Sequence, residues 1–138
     1  MQKITEKHFW RIIDANYNRA KEGLRVCEDI CRFVWGQKAF TAKLKRIRHE
    51  VTEKILQLPL DYIVTSRDIR EDVGKGSTAS EFKREGVKEV FYANMQRVKE
   101  SLRVLEEITK IYKVALAQDF KNIRYQLYEI EKKIIERC

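Results

Sequence analysis

The chain has 138 residues, of which 43% are hydrophobic and 36% charged, with one proline and five glycines. That length supports one domain around one substantial core, and so few breakers among many Lys, Glu, Arg, Ile and Leu point to long helices. The formal charge of +8 favours anionic partners, while the lack of any apolar run near the roughly 18 residues of a membrane span or of a secretory h-region argues against membrane and export, so a cytoplasmic protein is expected.

Thr5-Glu6-Lys7-His8 reads as a helix start, with Thr5 as cap and His8 where a capping-box Glu would sit. The first helix is predicted from Glu6 to Trp35, with Gly36 just beyond its end. Ile13, Tyr17, Ala20, Leu24, Cys27, Cys31 and Val34 draw one apolar seam in steps of four and three, widened by Ile12, Val26 and Ile30. Asn16, Arg19 and Gly23 fall inside that apolar face. Taken singly, Asn16 could be a buried amide serving a nearby backbone group, and Arg19 a snorkelling stem. Cys27 and Cys31 are read as small buried apolar residues, because positions four apart on a helix hold a disulfide poorly.

A second helix is predicted from Lys38 to Leu58, ended by Pro59. The stretch 59–80 is expected to be a connector, and Ser66 to Thr78 is polar, holds two glycines and has no helical period. Thr78 and Glu81 form a capping-box pattern for a third helix running from Ala79 to Leu116, bent near Gly86. The connector would then end at a helix N-terminus, where phosphate is favoured. Gly-Lys-Gly-Ser-Thr is not a P-loop: Gly76 follows Lys75, Ile69 replaces the required glycine, and no strand precedes it. The third helix has the seam Phe91, Met95, Val98, Leu102, Leu105 and Tyr112, and a fourth is predicted from Asp119 to Glu136.

The chain repeats itself. Ala-Asn-x-x-Arg-x-Lys-Glu-x-Leu-Arg-Val-x-Glu occurs from Ala15 to Glu28 and again from Ala93 to Glu106, an offset of 78. Leu44 to Val51 matches Phe120 to Leu127 at an offset of 76, which pairs Arg48 with Arg124 and His49 with Tyr125. Amphipathicity alone repeats apolar positions, so the repeated Asn, Arg and Glu need their own cause. The expected fold is all-α, a single domain over 1–138: two long-helix hairpins (6–58 and 81–136) related by a pseudo-two-fold axis. Such an axis would bring Asn16 toward Asn94 and Arg19 toward Arg97 across a shared pocket.

Four ordered motifs carry a resemblance. They are Ile13-Asp14-Ala15-Asn16-x-x-Arg19-Ala20-x-Glu22-Gly23-Leu24-Arg25-Val26-x-Glu28, then Leu44-x-x-x-Arg48-His49, then Arg67-Asp68-x-x-x-Asp72-Val73-Gly74. The last is Asn94-x-x-Arg97-x-x-Glu100-x-Leu102-Arg103-Val104-Leu105-Glu106-Glu107. Together they resemble, over about residues 10 to 130, the domain fused in front of thiamine-phosphate synthase in some bacteria. That domain is regarded as an alternative hydroxymethylpyrimidine phosphate kinase. Fused members continue into a (β/α)8 barrel of about 200 or more residues. Ending at Cys138, this chain is expected not to join the pyrimidine and thiazole halves itself.

The resemblance implies thiamine biosynthesis and transfer of the γ-phosphoryl of ATP to 4-amino-5-hydroxymethyl-2-methylpyrimidine phosphate, with Mg2+. A phosphate acceptor needs little base catalysis but many cations, and Arg19, Arg97, Arg48, Arg67 and Arg103 are available for that work. Lys75, between Gly74 and Gly76, could follow the transferred group. Asp68 and Asp72 are the candidate magnesium ligands, with Asp14 or Glu22 in reserve. Asn16 and Asn94 could read the aminopyrimidine edge, helped by Glu22, Glu28, Glu100, Glu106 and His49. The alternative reading makes Glu28 and Glu106 intrahelical partners of Arg25 and Arg103, and His49 a surface residue.

Three rivals remain. One is a module that binds a pyrimidine phosphate for a separate thiamine-phosphate synthase without transferring phosphate. Another is an RNA-binding helical protein, which the mixing of repeated arginines with glutamates argues against. An all-helical mutase of the chorismate type leaves the Asp68–Asp72–Gly74 loop unexplained. A homo-oligomer is expected on general grounds.

Overall fold

The computed structural model describes residues 5–138, the side chain of Ser80 excepted. Every regular element among them is helical. Helix α1 spans Glu6–Asp29, and the Thr5 hydroxyl accepts the His8 N–H at 3.2 Å, as the cap pattern requires. A π-helical turn, Ile30–Val34, continues it. Gly36 then takes the left-handed φ of 59°, and the Gln37 N–H returns to the Cys31 carbonyl at 2.8 Å. That bond satisfies a carbonyl the helix end would otherwise orphan.

Helix α2 spans Lys38–Ile55, and a short helix α3, Leu60–Thr65, starts directly after Pro59. Residues 79–82 make only one 3-10 turn. Helix α4 runs Val87–Thr109 and α5 runs Val114–Arg137.

Several boundaries differ from the predicted ones. The third long helix begins at Val87, with Gly86 extended at its N-cap, instead of at Ala79. The Thr78–Glu81 pattern therefore opens a 3-10 turn, and no long helix N-terminus meets the connector there. The break at 110–113 separates α4 from α5, so the third helix ends before Leu116 and the fourth starts before Asp119. Two seam assignments also fail. Val34 is 57% exposed because the widened π turn rotates it off the stripe. Tyr112 lies past the end of α4 and is half exposed, with its ring stacked on Phe9 at 5.7 Å.

The apolar stripes meet as the pattern demands. α1 packs on α2 and on α4, α4 on α5, and α5 on α2, so the four long helices enclose one core. Ile13, Leu24, Leu44, Phe91, Met95, Leu102 and Phe120 are wholly buried in it. Each such side chain contributes about 1.5–3 kcal/mol of burial. The α1–α4 contact is closest at Gly23, where an added Cβ would sit 2.6 Å from Val98 Cγ2 and 3.1 Å from the Asn94 carbonyl oxygen. Helix α3 packs on α1 and delivers the connector to it.

Cys27 and Cys31 are free, buried thiols, in keeping with the reading as small apolar residues. Burial pushes the Cys27 thiol far up, and burial together with the neighbouring Cys138 pushes Cys31 up to about 11. Among the described residues, no helix is long and apolar enough to cross a membrane.

Candidate functional site

Two clefts adjoin at Arg19. The first, of about 380 Å³, is lined by His8, Arg11, Asp14, Asn16 and Arg19 of α1 and by Arg67, Asp68 and Asp72 of the connector. The connector is fixed there by a two-pronged ion pair. Arg67 Nε and Nη2 donate to Asp14 Oδ2 and Oδ1, each at 2.7 Å. These bonds, then the carboxylate charge, hold the Arg67 guanidinium above its ordinary value. Asn18 Nδ2 supports Asp14 Oδ1 at 3.1 Å, and Arg11 Nη2 donates to the Asp68 carbonyl at 3.3 Å.

The second cleft, of about 440 Å³, lies between α1 and α4. Arg19, Glu22 and Gly23 face Asn94, Arg97 and Glu100 across it, and Arg84 joins from the segment before α4. The close approach at Gly23 brings these two helices near enough to share the cleft. The matched asparagines make the same local bond. Asn16 Nδ2 donates to the Ile12 carbonyl at 2.9 Å and Asn94 Nδ2 to the Val90 carbonyl at 2.8 Å. Asn16 Oδ1 also accepts from Arg19 Nη1 at 3.4 Å. Thus Arg19, Arg97 and Asn94 share one cleft, while Asn16 opens into its neighbour.

The other repeated polar residues sit elsewhere. Glu28 is 3% exposed and is held by Arg25 at 3.1 Å and by Arg48 of α2 at 3.3 Å. Its counterpart Glu106 is held by Arg103 at 3.5 Å and by Arg124 of α5 at 2.9 Å. Burial opposes the Arg124 charge, but bonds to Glu106 and to the Tyr128 hydroxyl outweigh it and keep the guanidinium above its ordinary value. Each glutamate therefore staples one hairpin. Neither it nor its arginines line the clefts around Arg19. His49 is exposed on α2. Gly74, Lys75 and Gly76 are exposed in the connector outside both linings, with Lys75 Nζ donating to the Arg70 carbonyl at 3.4 Å.

Three basic or amide lining residues escaped the sequence reading. Arg11 matches Glu89 in the second repeat, Arg84 lies in unrepeated sequence, and Gln96 matches Asn18. A search keyed to identical repeated residues passes over all three.

Among the described residues no group of three or more His, Cys, Asp and Glu forms a metal cage. Asp68 Oδ1 accepts the Glu71 N–H at 3.1 Å and Asp72 Oδ1 accepts the Gly74 N–H at 2.9 Å. Two carboxylates shaped by their own loop suit a hydrated magnesium carried with phosphates, which needs only one or two such ligands.

A family profile described as the ThiD2 family matches residues 11–133. The chain belongs to that family. This ThiD2-family chain is 38% identical over 127 residues to a thiamine-phosphate synthase of Nostoc punctiforme, covering 91% of the chain and 35% of that protein. It is 40% identical over 119 residues to a thiamine-phosphate synthase of Rhodopirellula baltica, covering 86% of the chain and 32% of that protein. A Synechocystis protein of the same name is 36% identical over 136 residues, with 98% and 38% covered. The chain spans about a third of the length of these curated relatives. No solved structure matches it.

Proposed function

We propose that this chain acts in thiamine biosynthesis as an ATP-dependent kinase of 4-amino-5-hydroxymethyl-2-methylpyrimidine phosphate. The observation that carries the reading is the position of Arg19 at the junction of two unlike clefts, one closed by the Asp68–Asp72 connector and the other lined by Asn94 and Arg97. Both volumes are of the order expected for sites that hold small ligands. In this reading the second cleft takes the pyrimidine phosphate. Asn94 offers an amide to the aminopyrimidine edge, and Arg97 and Arg84 meet the phosphate.

The donor's polyphosphate lies along the first cleft, against Arg11 and Arg19. An acceptor phosphate oxygen attacks Pγ, a P–O bond forms, and the bond to the departing ADP oxygen breaks. Because the acceptor is already an anion at neutral pH, the protein's task is alignment and charge neutralisation. Arg19 can touch acceptor and transferred group together. Magnesium bound with the nucleotide supplies further neutralisation, and Asp68 and Asp72 would hold it. Arg67, locked on Asp14, keeps those two carboxylates in place. The recurrence of the Asn and Glu contacts at matched positions supports a pseudo-two-fold relation between the hairpins.

The test is incubation with ATP, magnesium and the pyrimidine monophosphate, with the diphosphate as the product sought. Arg19→Ala and Asp68→Ala should each lower turnover at least ten-fold without changing far-ultraviolet circular dichroism. Unchanged rates would remove those residues from the site.

One observation favours a second reading. Lys75, Gly74 and Gly76, the most phosphate-like stretch of the connector, line neither cleft. A module that only holds the pyrimidine phosphate, for a thiamine-phosphate synthase to use, needs no such stretch. Tight pyrimidine phosphate binding without ATP consumption would select it.

A further inference from the structure

A third groove, of about 530 Å³, lies between the end of α1 and the start of α2. Its walls follow from spacing. Arg25 stands on α1 and Arg32 on the π turn that continues it, while Lys38 and Lys45, seven residues apart, stand on one face of α2 two turns apart. All four line the groove. Between the lysines, Ala42 contributes only a methyl group and leaves depth. Glu28 is the sole carboxylate in the lining, and it is already bound by Arg25 at 3.1 Å and by Arg48 at 3.3 Å.

With Glu28 neutralised and Arg25 also paired with Asp29 at 3.7 Å, the groove keeps three uncompensated cations. Arg32, Lys38 and Lys45 make no ion pair among the described residues, and Arg32 lies over the Phe33 ring at 4.6 Å. Gathering like charges on a concave surface costs free energy, and an entering anion relieves that repulsion. The positive end of α2 adds to this. Its cap, Gln37, makes no side-chain bond, and no acidic residue occupies its first turn.

Duplication accounts for only part of the arrangement. Arg103, Lys110 and Lys121 match Arg25, Arg32 and Lys45, but the second copy has Val114 for Lys38, Ala117 for Thr41 and Gln118 for Ala42, and its turn lacks a glycine. Guanidinium groups present planar paired donors and the lysines act as point charges, a combination suited to several phosphate oxygens at once.

We infer that this groove is a second anion site, which takes a phosphate-bearing small molecule and is separate from the clefts around Arg19. It stands independently of the kinase reading. The experiment is titration of the full chain with inorganic pyrophosphate, followed by amide NMR. Saturable shifts are expected at Arg32 and across Gly36–Phe40. Lys38→Gln with Lys45→Gln should weaken that component at least ten-fold, and Arg32→Gln should weaken it separately. Arg19→Ala with Arg97→Ala should leave it unchanged. No shift at those amides, equal affinity in both lysine and arginine variants, or loss only in the Arg19 variant would each overturn the inference.

Discussion

Gly23→Ala isolates the contact that brings α1 and α4 together. A methyl built there would lie 2.6 Å from Val98 Cγ2 and 3.1 Å from the Asn94 carbonyl oxygen. Val98 is fully buried and β-branched, so its χ1 angle is stiff and a rotamer change is opposed. The Asn94 oxygen belongs to backbone and can retreat only if α4 moves. Overpacking costs about 1–3 kcal/mol, and a 2.6 Å contact with a buried side chain belongs in the upper part of that range, about 2–3 kcal/mol. Replacing glycine by alanine in a helix interior returns about 1 kcal/mol of propensity. The clash outweighs the propensity, leaving a net loss of about 1–2 kcal/mol.

For a domain of this size that loss lowers Tm by about 3–8 °C. Gly76→Ala is the comparator, since a Cβ there meets nothing, and its effect should stay within about 0.5 kcal/mol. Thermal melts followed by helical circular dichroism measure both. The displacement should also widen the second cleft, so affinity for the pyrimidine phosphate falls several-fold in the same variant. If Gly23→Ala melts at or above the parent temperature, the tight approach of the two helices is wrong.

Arg124→Met leaves Glu106 buried without its principal partner and should cost about 3–5 kcal/mol in urea unfolding. A loss below 1 kcal/mol would mean that Arg103 alone satisfies the carboxylate. Asp14→Asn removes the charge that holds Arg67, so trypsin should cleave the connector at least three-fold faster while the helices persist. Equal cleavage rates would detach the ion pair from connector order. The native chain at pH 8 should show one rapidly reacting thiol, Cys138, and three once denatured, because Cys27 and Cys31 are wholly buried. The raised Cys31 value also makes the folded form lose stability as pH climbs from the ordinary 9.0 toward about 11, where only the unfolded thiol ionises freely. Constant stability over that window, read from urea midpoints, would contradict it.

The helices were legible because their apolar periods are long and regular, and the Thr5 cap and Gly36 turn are local signals that need no tertiary partner. The start of α4 was not. Thr78 and Glu81 satisfy a local capping rule, yet residues 83–86 do not continue the helix, and Gly86 resets the chain as an extended N-cap. Local pattern cannot see that interruption. The π turn was equally hidden, since Val34 continues the apolar spacing and only the widened backbone removes it from the core.

Repetition singled out a set of polar residues but not what each of them touches. Asn16 and Arg19 sit at clefts, while Glu28 and Glu106 hold arginines across hairpins, and all four lie in the same repeated frame. The difference depends on what α2 and α5 place opposite them. Arg48 and Arg124 were visible as a matched pair, but their partners were not, because the loops that set helix register carry no periodic signal.

The asymmetry of the site has a physical source in the connector. The repeated sequence frame, by itself, would present two similar half-sites around Asn16 with Arg19 and around Asn94 with Arg97. Phosphoryl transfer needs unlike neighbours, one for an acceptor and one for a donor with its cation. In the proposed kinase reading, the connector supplies most of that difference. It lays Arg67, Asp68 and Asp72 on the Asn16 side, while Arg84, from the short segment just before α4, joins the Asn94 side. One cleft thereby gains two carboxylates and an arginine, and holds three carboxylates against three arginines, while the other holds three arginines against two glutamates. On this argument the connector, more than either hairpin, determines which ligand lies where. Exchanging Asp68 and Asp72 for Asn should then abolish the magnesium dependence of nucleotide binding while pyrimidine phosphate binding survives. Loss of both together would place the two ligands in one cleft.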